Sequence, residues 1–259
     1  MNKIISVVKS VLPLAAPALA LVLIFTPIPV MTIHALIGLN FVFAVCLFSA
    51  GLFKRVKQSP HFSEFALLYA VFNFELAIAT ARIFLTVRTL EEQIPLARII
   101  GQWVCRENYV CGFFTMFVAS IGILYFFKRG ILRISEVAAR FALDTSAQKQ
   151  FAIDQQLAEN KITNEEAEKL RIKLRDEMEV YSIRDGAAKF LGRTLYALFV
   201  LFFVVIAGGV ALGILILNLP WQAALEQYIM LSCGYLALFV APLFLVALEF
   251  IGEEKGMLS

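Results

Sequence analysis

The charges in this sequence recur at helical spacing. Arg133, Glu136, Arg140 and Asp144 follow one another at intervals of three and four residues, which on a helix sets opposite signs side by side as a ladder. Such a ladder makes and breaks no covalent bonds. Its chemistry is protonation: neutralising one carboxylate frees its basic partners and lets the segment shift. Ile134, Val137 and Phe141 form an adjacent apolar stripe. A second polar series lies inside apolar sequence. Glu64, Glu75 and Arg82 are 11 and then 7 residues apart, and at 100° per residue both intervals return to within about 20° of one face. A charge at the centre of a membrane helix costs at least about 2.5–3.5 kcal/mol, so Glu75 should face the bundle interior or water and have a partner. Two turns separate it from Arg82, which points to a partner on another helix or subunit. The stripe reads either as the lining of a hydrated path or subunit contact, or as a structural ion pair. Gly209 and Gly213 make a small-xxx-small pattern suited to close helix packing.

No reaction centre accompanies these charges. His34 and Asn40 read as satisfied bundle residues, since neither has a nucleophile or acid at telling spacing. Cys46, Cys105, Cys111 and Cys233 show no CxxC spacing and no histidine cluster, and read as small core hydrophobes. No catalytic residue, metal or cofactor is expected, and the protein is not expected to be an enzyme.

The elements that must hold these residues are membrane helices. The chain has 259 residues, 60% hydrophobic and 17% charged, against roughly 45–50% and 25% in soluble domains. Apolar runs near 11–30, 33–53, 62–87, 109–127, 195–219 and 226–250 each approach the roughly 20 residues that cross a bilayer. The fold class is therefore all-α, a polytopic integral membrane protein with about six transmembrane helices. Pro27, Pro29 and Thr32 predict a tight turn between the first two spans. The stretch LAAPALA at 14–20 resembles a cleavage region, but the apolar run continues past it and Lys9 interrupts the preceding one, which favours an uncleaved span.

Loop charge sets orientation. Lys3 and Lys9 precede span one; Lys54, Arg55 and Lys57 follow span two; Lys128, Arg129 and Arg133 follow span four. Both termini are expected to be cytoplasmic. Residues 128–193 hold 13 of the 23 Lys/Arg and 11 of the 20 Asp/Glu, and form a cytoplasmic insert between residues 1–127, with spans one to four, and 194–259, with spans five and six. In the insert, Thr163 with Glu166 makes a capping box opening a second helix through Ala167, Leu170, Leu174, Met178 and Tyr181, with Gly186 as its stop. From pattern alone, these charges could simply solvate a helical hairpin. No basic run is interleaved with aromatics, which argues against nucleic acid.

The insert also resembles a known family. Arg133-Ile-Ser-Glu-Val-Ala-Ala-Arg-Phe-Ala-Leu-Asp144, followed by Lys149-Gln150 and Ala152-Ile153-Asp154, resembles the signature of the FHIPEP family, the export-gate proteins of flagellar and virulence type III secretion. Ile162, Glu165-Glu166-Ala167, Tyr181, Asp185-Gly186-Ala187 and Lys189-Phe190 resemble the rest of its cytoplasmic loop. Gly101-Gln102-Trp103-Val104 and Asn108-Tyr109-Val110 with Gly112 resemble its entry into the fourth span, and Ala79, Arg82 and Leu85 the end of its third. The chain departs from the pattern at several places. Ala147-Gln148 replaces a Pro-Gly, Arg106-Glu107 a Gly-Gly, Asn73 an arginine and Ala77 an asparagine. Thr194 stands where the family carries the acid that is a leading candidate for proton coupling, and Tyr235, beside Gly234 and ahead of Pro242, stands for another acid.

The resemblance implies a component of a type III protein export gate in the bacterial inner membrane, assembling as a ring of nine copies with other export-apparatus membrane proteins and exported protein substrates, and embedded in the lipid bilayer. It carries over Arg133, Glu136, Arg140, Asp144, Lys149, Asp154, Asp185 and Lys189 as a switchable network at the cytoplasmic mouth of the pore. The family continues beyond the position of Ser259 with two more membrane helices and a large cytosolic domain, and that module is expected to be absent or separately encoded. With Thr194 in place of the acid, a structural or assembly homologue, or the membrane half of a split gate, is the second expectation. An unrelated transporter or channel is the third.

Overall fold

The computed structural model describes residues 26, 28–53, 60–86, 95–106 and 108–250, and among them every regular element is helical. The helices are α1 (Val30–Gly51), α2 (Pro60–Thr86), α3 (Pro95–Cys105), α4 (Tyr109–Phe126), a π-helical turn (Phe127–Leu132), α5 (Arg133–Ala158), α6 (Asn164–Leu215) and α7 (Trp221–Leu248). Hydrocarbon offers no water to a backbone N–H or C=O, so apolar runs of this length close their hydrogen bonds within helices. Among the described residues five stretches are long and apolar enough to cross a membrane: α1, α2, α4 continued into α5, α6 and α7. They coincide with five of the six expected spans, and the chain is an all-α polytopic membrane protein. Residues 11–25 of the first apolar run, Pro27 at its turn and the flanking Lys3, Lys9, Lys54, Arg55 and Lys57 lie outside the described residues.

Local chemistry sets the helix ends. Pro29 and Pro220 precede α1 and α7 in extended conformation, with ψ of 142° and 143°. The Asn108 side chain accepts from the Val110 and Cys111 amides at the start of α4. Thr163 and Glu166 form the expected capping box at the start of α6.

Small residues bring the bundle helices together. A Cβ on Gly234 of α7 would collide with the Ala97 carbonyl of α3, and one on Gly101 with the Met230 carbonyl, so these two backbones are nearly in contact. A Cβ on Gly209 would collide with the Tyr228 ring, and one on Gly213 would fall 3.0 Å from it, so the two glycines of α6 cradle a tyrosine of α7. α7 forms the centre of the bundle. Its Tyr235, Phe239, Leu243 and Val246 are all fully buried.

The insert is continuous with the spans on either side of it. Tyr109–Ala158 forms one rod of 50 residues and α6 another of 52. At 1.5 Å per residue each extends about 75 Å against a hydrocarbon layer of about 30 Å, so more than half of each rod lies outside the apolar layer. The break expected at Gly186 does not occur. Interior glycine costs only about 0.5–1 kcal/mol, and the next turn buries Ala187, Ala188 and Leu191 completely, so the helix runs through it. The 193/194 boundary therefore falls within α6. The rods turn at 159–163, where Asn160 takes a left-handed φ of 55° and the Lys161 amide donates to the Gln156 carbonyl. Ile153, Ala167 and Leu174, with Leu157 and Ile162, close the tip as a small apolar cluster.

Two of the four cysteines depart from the core reading. Cys105 and Cys233 are buried, whereas Cys46 and Cys111 are exposed on the outer faces of α1 and α4. An apolar run predicts helix but not which side of it faces lipid.

Candidate functional site

The charged residues of the rods form separate pairs. Arg140 Nη2 donates to Glu136 Oε1 at 2.5 Å along α5, and Lys189 Nζ to Asp185 Oδ2 at 2.6 Å along α6. Two further pairs cross the hairpin: Lys149 Nζ to Glu177 Oε2 at 2.9 Å, and Arg171 Nη2 to Asp154 Oδ1 at 2.6 Å, with Glu168 also near Arg171. Among the described residues no ion pair engages Arg133 or Asp144. Glu177 and Arg171 escaped the sequence reading. Both cross-rod pairs are centred on the turn at 162–163, so an antiparallel register drawn from the capping box at Thr163 would have found them.

Between the rods lies a cavity of about 650 Å³. Val137 and Phe141 of the expected apolar stripe line it from α5 together with Ala138, and Leu174, Met178 and Tyr181 from α6, while Lys149 and Glu177 lie at its polar edge.

Where the rods enter the bundle, the π turn buries Phe127 against Gly192, whose Cβ would fall 3.0 Å from the ring. π turns inside α-helices recur at functional positions. On the same side of the bundle Arg184 of α6 lies 5.6 Å from the centre of the Phe250 ring and within the field of the buried Glu249 carboxylate. Glu249 in turn lies against Gly51, where a Cβ would fall 2.5 Å from its oxygen. Neither Arg184 nor Glu249 was singled out from sequence, because Arg184 is one of many charges in the insert, Glu249 sits at the end of an apolar run, and only the packing of α6 on α7 brings them together.

Within the bundle the three residues of the expected stripe have different surroundings. Glu64 is exposed and bonded to His61 at 3.2 Å. Glu75 is buried, at 4% exposure, and no hydrogen bond or ion pair engages it among the described residues. Arg82 donates to the Thr26 carbonyl at the opposite end of α2. Intervals of 11 and 7 residues set them on one helical face, but the bundle covers only the middle of it.

Other polar residues join the helices more directly. Asn40 Nδ2 of α1 donates to Asn73 Oδ1 of α2 at 2.8 Å, and Asn73 Nδ2 donates to the Phe239 carbonyl of α7 at 3.2 Å. Tyr235 Oη donates to the Ala77 carbonyl at 3.2 Å. Asn73, Ala77 and Tyr235 thus tie α7 to α2. Asn40 is thus a bundle residue with one bond made and its Oδ1 unpaired, and His34 Nε2 has no partner among the described residues. Thr194 is buried at 5% exposure on α6.

A helical membrane bundle that sends two continuous rods out of the bilayer as a charged hairpin is the class this architecture defines. The described residues hold no cluster of metal-ligating side chains. The chain belongs to the FHIPEP family, which it matches over residues 20–247. It is 33% identical over 233 residues to the probable translocation protein y4yR of Sinorhizobium fredii, covering 89% of this chain and 33% of the relative. It is 31% identical over 215 residues to the flagellar biosynthesis protein FlhA of Borreliella burgdorferi, covering 80% and 30%, and 30% identical over 224 residues to the invasion protein InvA of Salmonella typhimurium, covering 86% and 32%. The chain spans about a third of the length of these relatives. No solved structure matches it.

Proposed function

We propose that this chain is the membrane part of a type III protein export gate in the bacterial inner membrane, helping to move unfolded proteins with energy from the ion gradient. In this reading copies assemble as a ring with other export-apparatus membrane proteins, and the hairpin lies on the cytoplasmic side, where loop Lys and Arg collect. The names of the relatives, which speak of translocation, flagellar biosynthesis and invasion, support it.

The observation that carries the reading is the construction of the hairpin. Its ion pairs sit on rods that continue into the bundle, so a change of pairing outside the membrane is transmitted along rigid helices to their roots. Exposed pairs of this kind are individually weak, worth about 0.2–1 kcal/mol, and exchange partners readily. Glu75 supplies a buried carboxyl on α2, which packs against α6, and is the group we assign to sensing the ion gradient. Thr194 favours the second reading, a structural or assembly homologue that transduces no gradient.

A strain lacking the gene and complemented with variants tests both. Arg140→Ala with Asp144→Ala should lower secretion of an export reporter by about 5- to 150-fold at unchanged membrane level, the range of a typical coupling energy. Glu75→Gln should do the same if the gradient acts there. Normal secretion by both variants removes the gate reading, while normal secretion by Glu75→Gln alone favours the assembly role.

A further inference from the structure

The end of the bundle opposite the hairpin carries polar chemistry that export does not use. α6 runs from the hairpin tip to Leu215, and α7 starts back at Trp221, so the first turns of α7 lie at that end. α3 packs against them. At 100° per residue its Ala97, Gly101 and Cys105 fall on one face, and all three are buried. Leu96, Ile99 and Trp103 fall on the opposite face and stay exposed, Trp103 at 76%. Trp221 is 61% exposed, so both tryptophans of the chain are uncovered at this end. An apolar stripe ending in tryptophan is the pattern of a helix set at the lipid–water boundary, where the indole ring spans hydrocarbon and headgroups.

Arg98 and Gln102 occupy the flank of α3 between these two faces, one turn apart. They border a cleft of about 200 Å³ against α7, whose other polar walls are Glu226 and Gln227 and whose apolar lining includes Met230 and Leu231. Arg98 and Glu226 are both exposed, and neither joins an ion pair among the described residues. Gln227 Nε2 is buried and has no hydrogen-bond partner among them. One space is thus surrounded by a cation, an anion and an unused amide donor.

We propose that this cleft binds the headgroup of a zwitterionic phospholipid that carries a primary amine, phosphatidylethanolamine. The Arg98 guanidinium presents paired N–H donors to two phosphate oxygens, and the amides of Gln102 and Gln227 supply further donors. The Glu226 carboxylate accepts from the ammonium. A quaternary ammonium has no N–H to give Glu226 and is recognised instead by aromatic faces, and no aromatic side chain lines the cleft among the described residues. Met230 and Leu231 meet the start of the acyl chains. The source is the bilayer rather than solution, because the stripe of Leu96, Ile99 and Trp103 sets α3 at the membrane surface. The binding needs only that the bundle crosses a membrane, and it is independent of the export reading.

The test uses the full chain purified in detergent and weighed by native mass spectrometry with dioleoyl phosphatidylethanolamine, phosphatidylcholine or phosphatidylglycerol added at equal concentration. Phosphatidylethanolamine should stay bound at collision energies that strip the other two. Arg98→Gln and Glu226→Gln should each raise its apparent Kd by about tenfold, the loss of one charge-assisted hydrogen bond. Arg106→Gln removes a cation just past α3 and outside the cleft, and should leave binding unchanged. Equal retention of phosphatidylcholine overturns the proposal, because the ammonium protons are then unread, and preferred retention of phosphatidylglycerol does so by showing that only negative charge is read. Both are scored on the unaltered protein, so a variant that misfolds does not obscure the answer. A loss with Arg106→Gln as large as with Arg98→Gln reduces the binding to diffuse attraction and overturns the site. Free phosphoethanolamine in excess should leave the lipid in place; displacement by it assigns the cleft to a soluble ligand and overturns the lipid.

Discussion

The bundle and the hairpin use polar side chains in opposite ways. In the bundle they are few, and several of the buried ones bond across helices far apart in sequence: Asn40 to Asn73, Asn73 to the Phe239 carbonyl, Tyr235 to the Ala77 carbonyl. In the hairpin they are many and exposed, and they pair within a helix or across one turn. At the tip, Lys161 beside Glu159 holds that carboxyl below the usual range. The difference follows from solvent. An unpaired polar group in hydrocarbon has no water to fall back on, so the bundle is committed to one arrangement, while each hairpin charge can exchange its partner for water at little cost. The same chain thus joins a part that fixes geometry to a part that can switch.

Four experiments test that contrast, beginning with the largest effect. Gly234→Val sets a branched side chain against the Ala97 carbonyl, where only backbone can yield; it should destabilise by about 1–3 kcal/mol or more, read as a lowered unfolding temperature in detergent. An unchanged temperature would mean that α3 is only loosely held on α7. Asn73→Leu should cost about 0.6–1.7 kcal/mol, the span measured for hydrogen bonds between membrane helices, and leave Asn40 unpaired. Gly186→Ala should act in the opposite direction. Its Cβ meets open space on a helical site, so the hairpin should gain about 0.5–1 kcal/mol, seen as slower amide exchange around 180–190. The smallest effect belongs to Lys149 and Glu177, for which a double-mutant cycle should give a coupling of only a few tenths of a kcal/mol, shrinking further in salt. A coupling as large as that of the buried Asn40–Asn73 bond would erase the distinction between the two regions.

Much of this organisation was legible residue by residue. The capping box at Thr163 and Glu166 was readable because it needs only neighbours along the chain. Gly186 misled for the same reason: local preference marks a stop, but the apolar turn that follows is buried against the bundle and carries the helix on. Glu64, Glu75 and Arg82 shared a calculated face, yet periodicity contains no information on how far along that face the neighbours reach. The partners Glu177 and Arg171 needed one further step, the antiparallel register of the rods.

The sequence by itself determined that the chain is helical, that it crosses a membrane several times, and where its charge collects, because hydropathy and i to i+4 spacing act through local backbone geometry. Tertiary structure alone decided which acids are buried, that two rods run unbroken from bundle to tip, and that Asn73 and Tyr235 tie α7 to α2. Those outcomes depend on the way helices distant in the chain close on one another over small residues, and no property of a single segment encodes that approach.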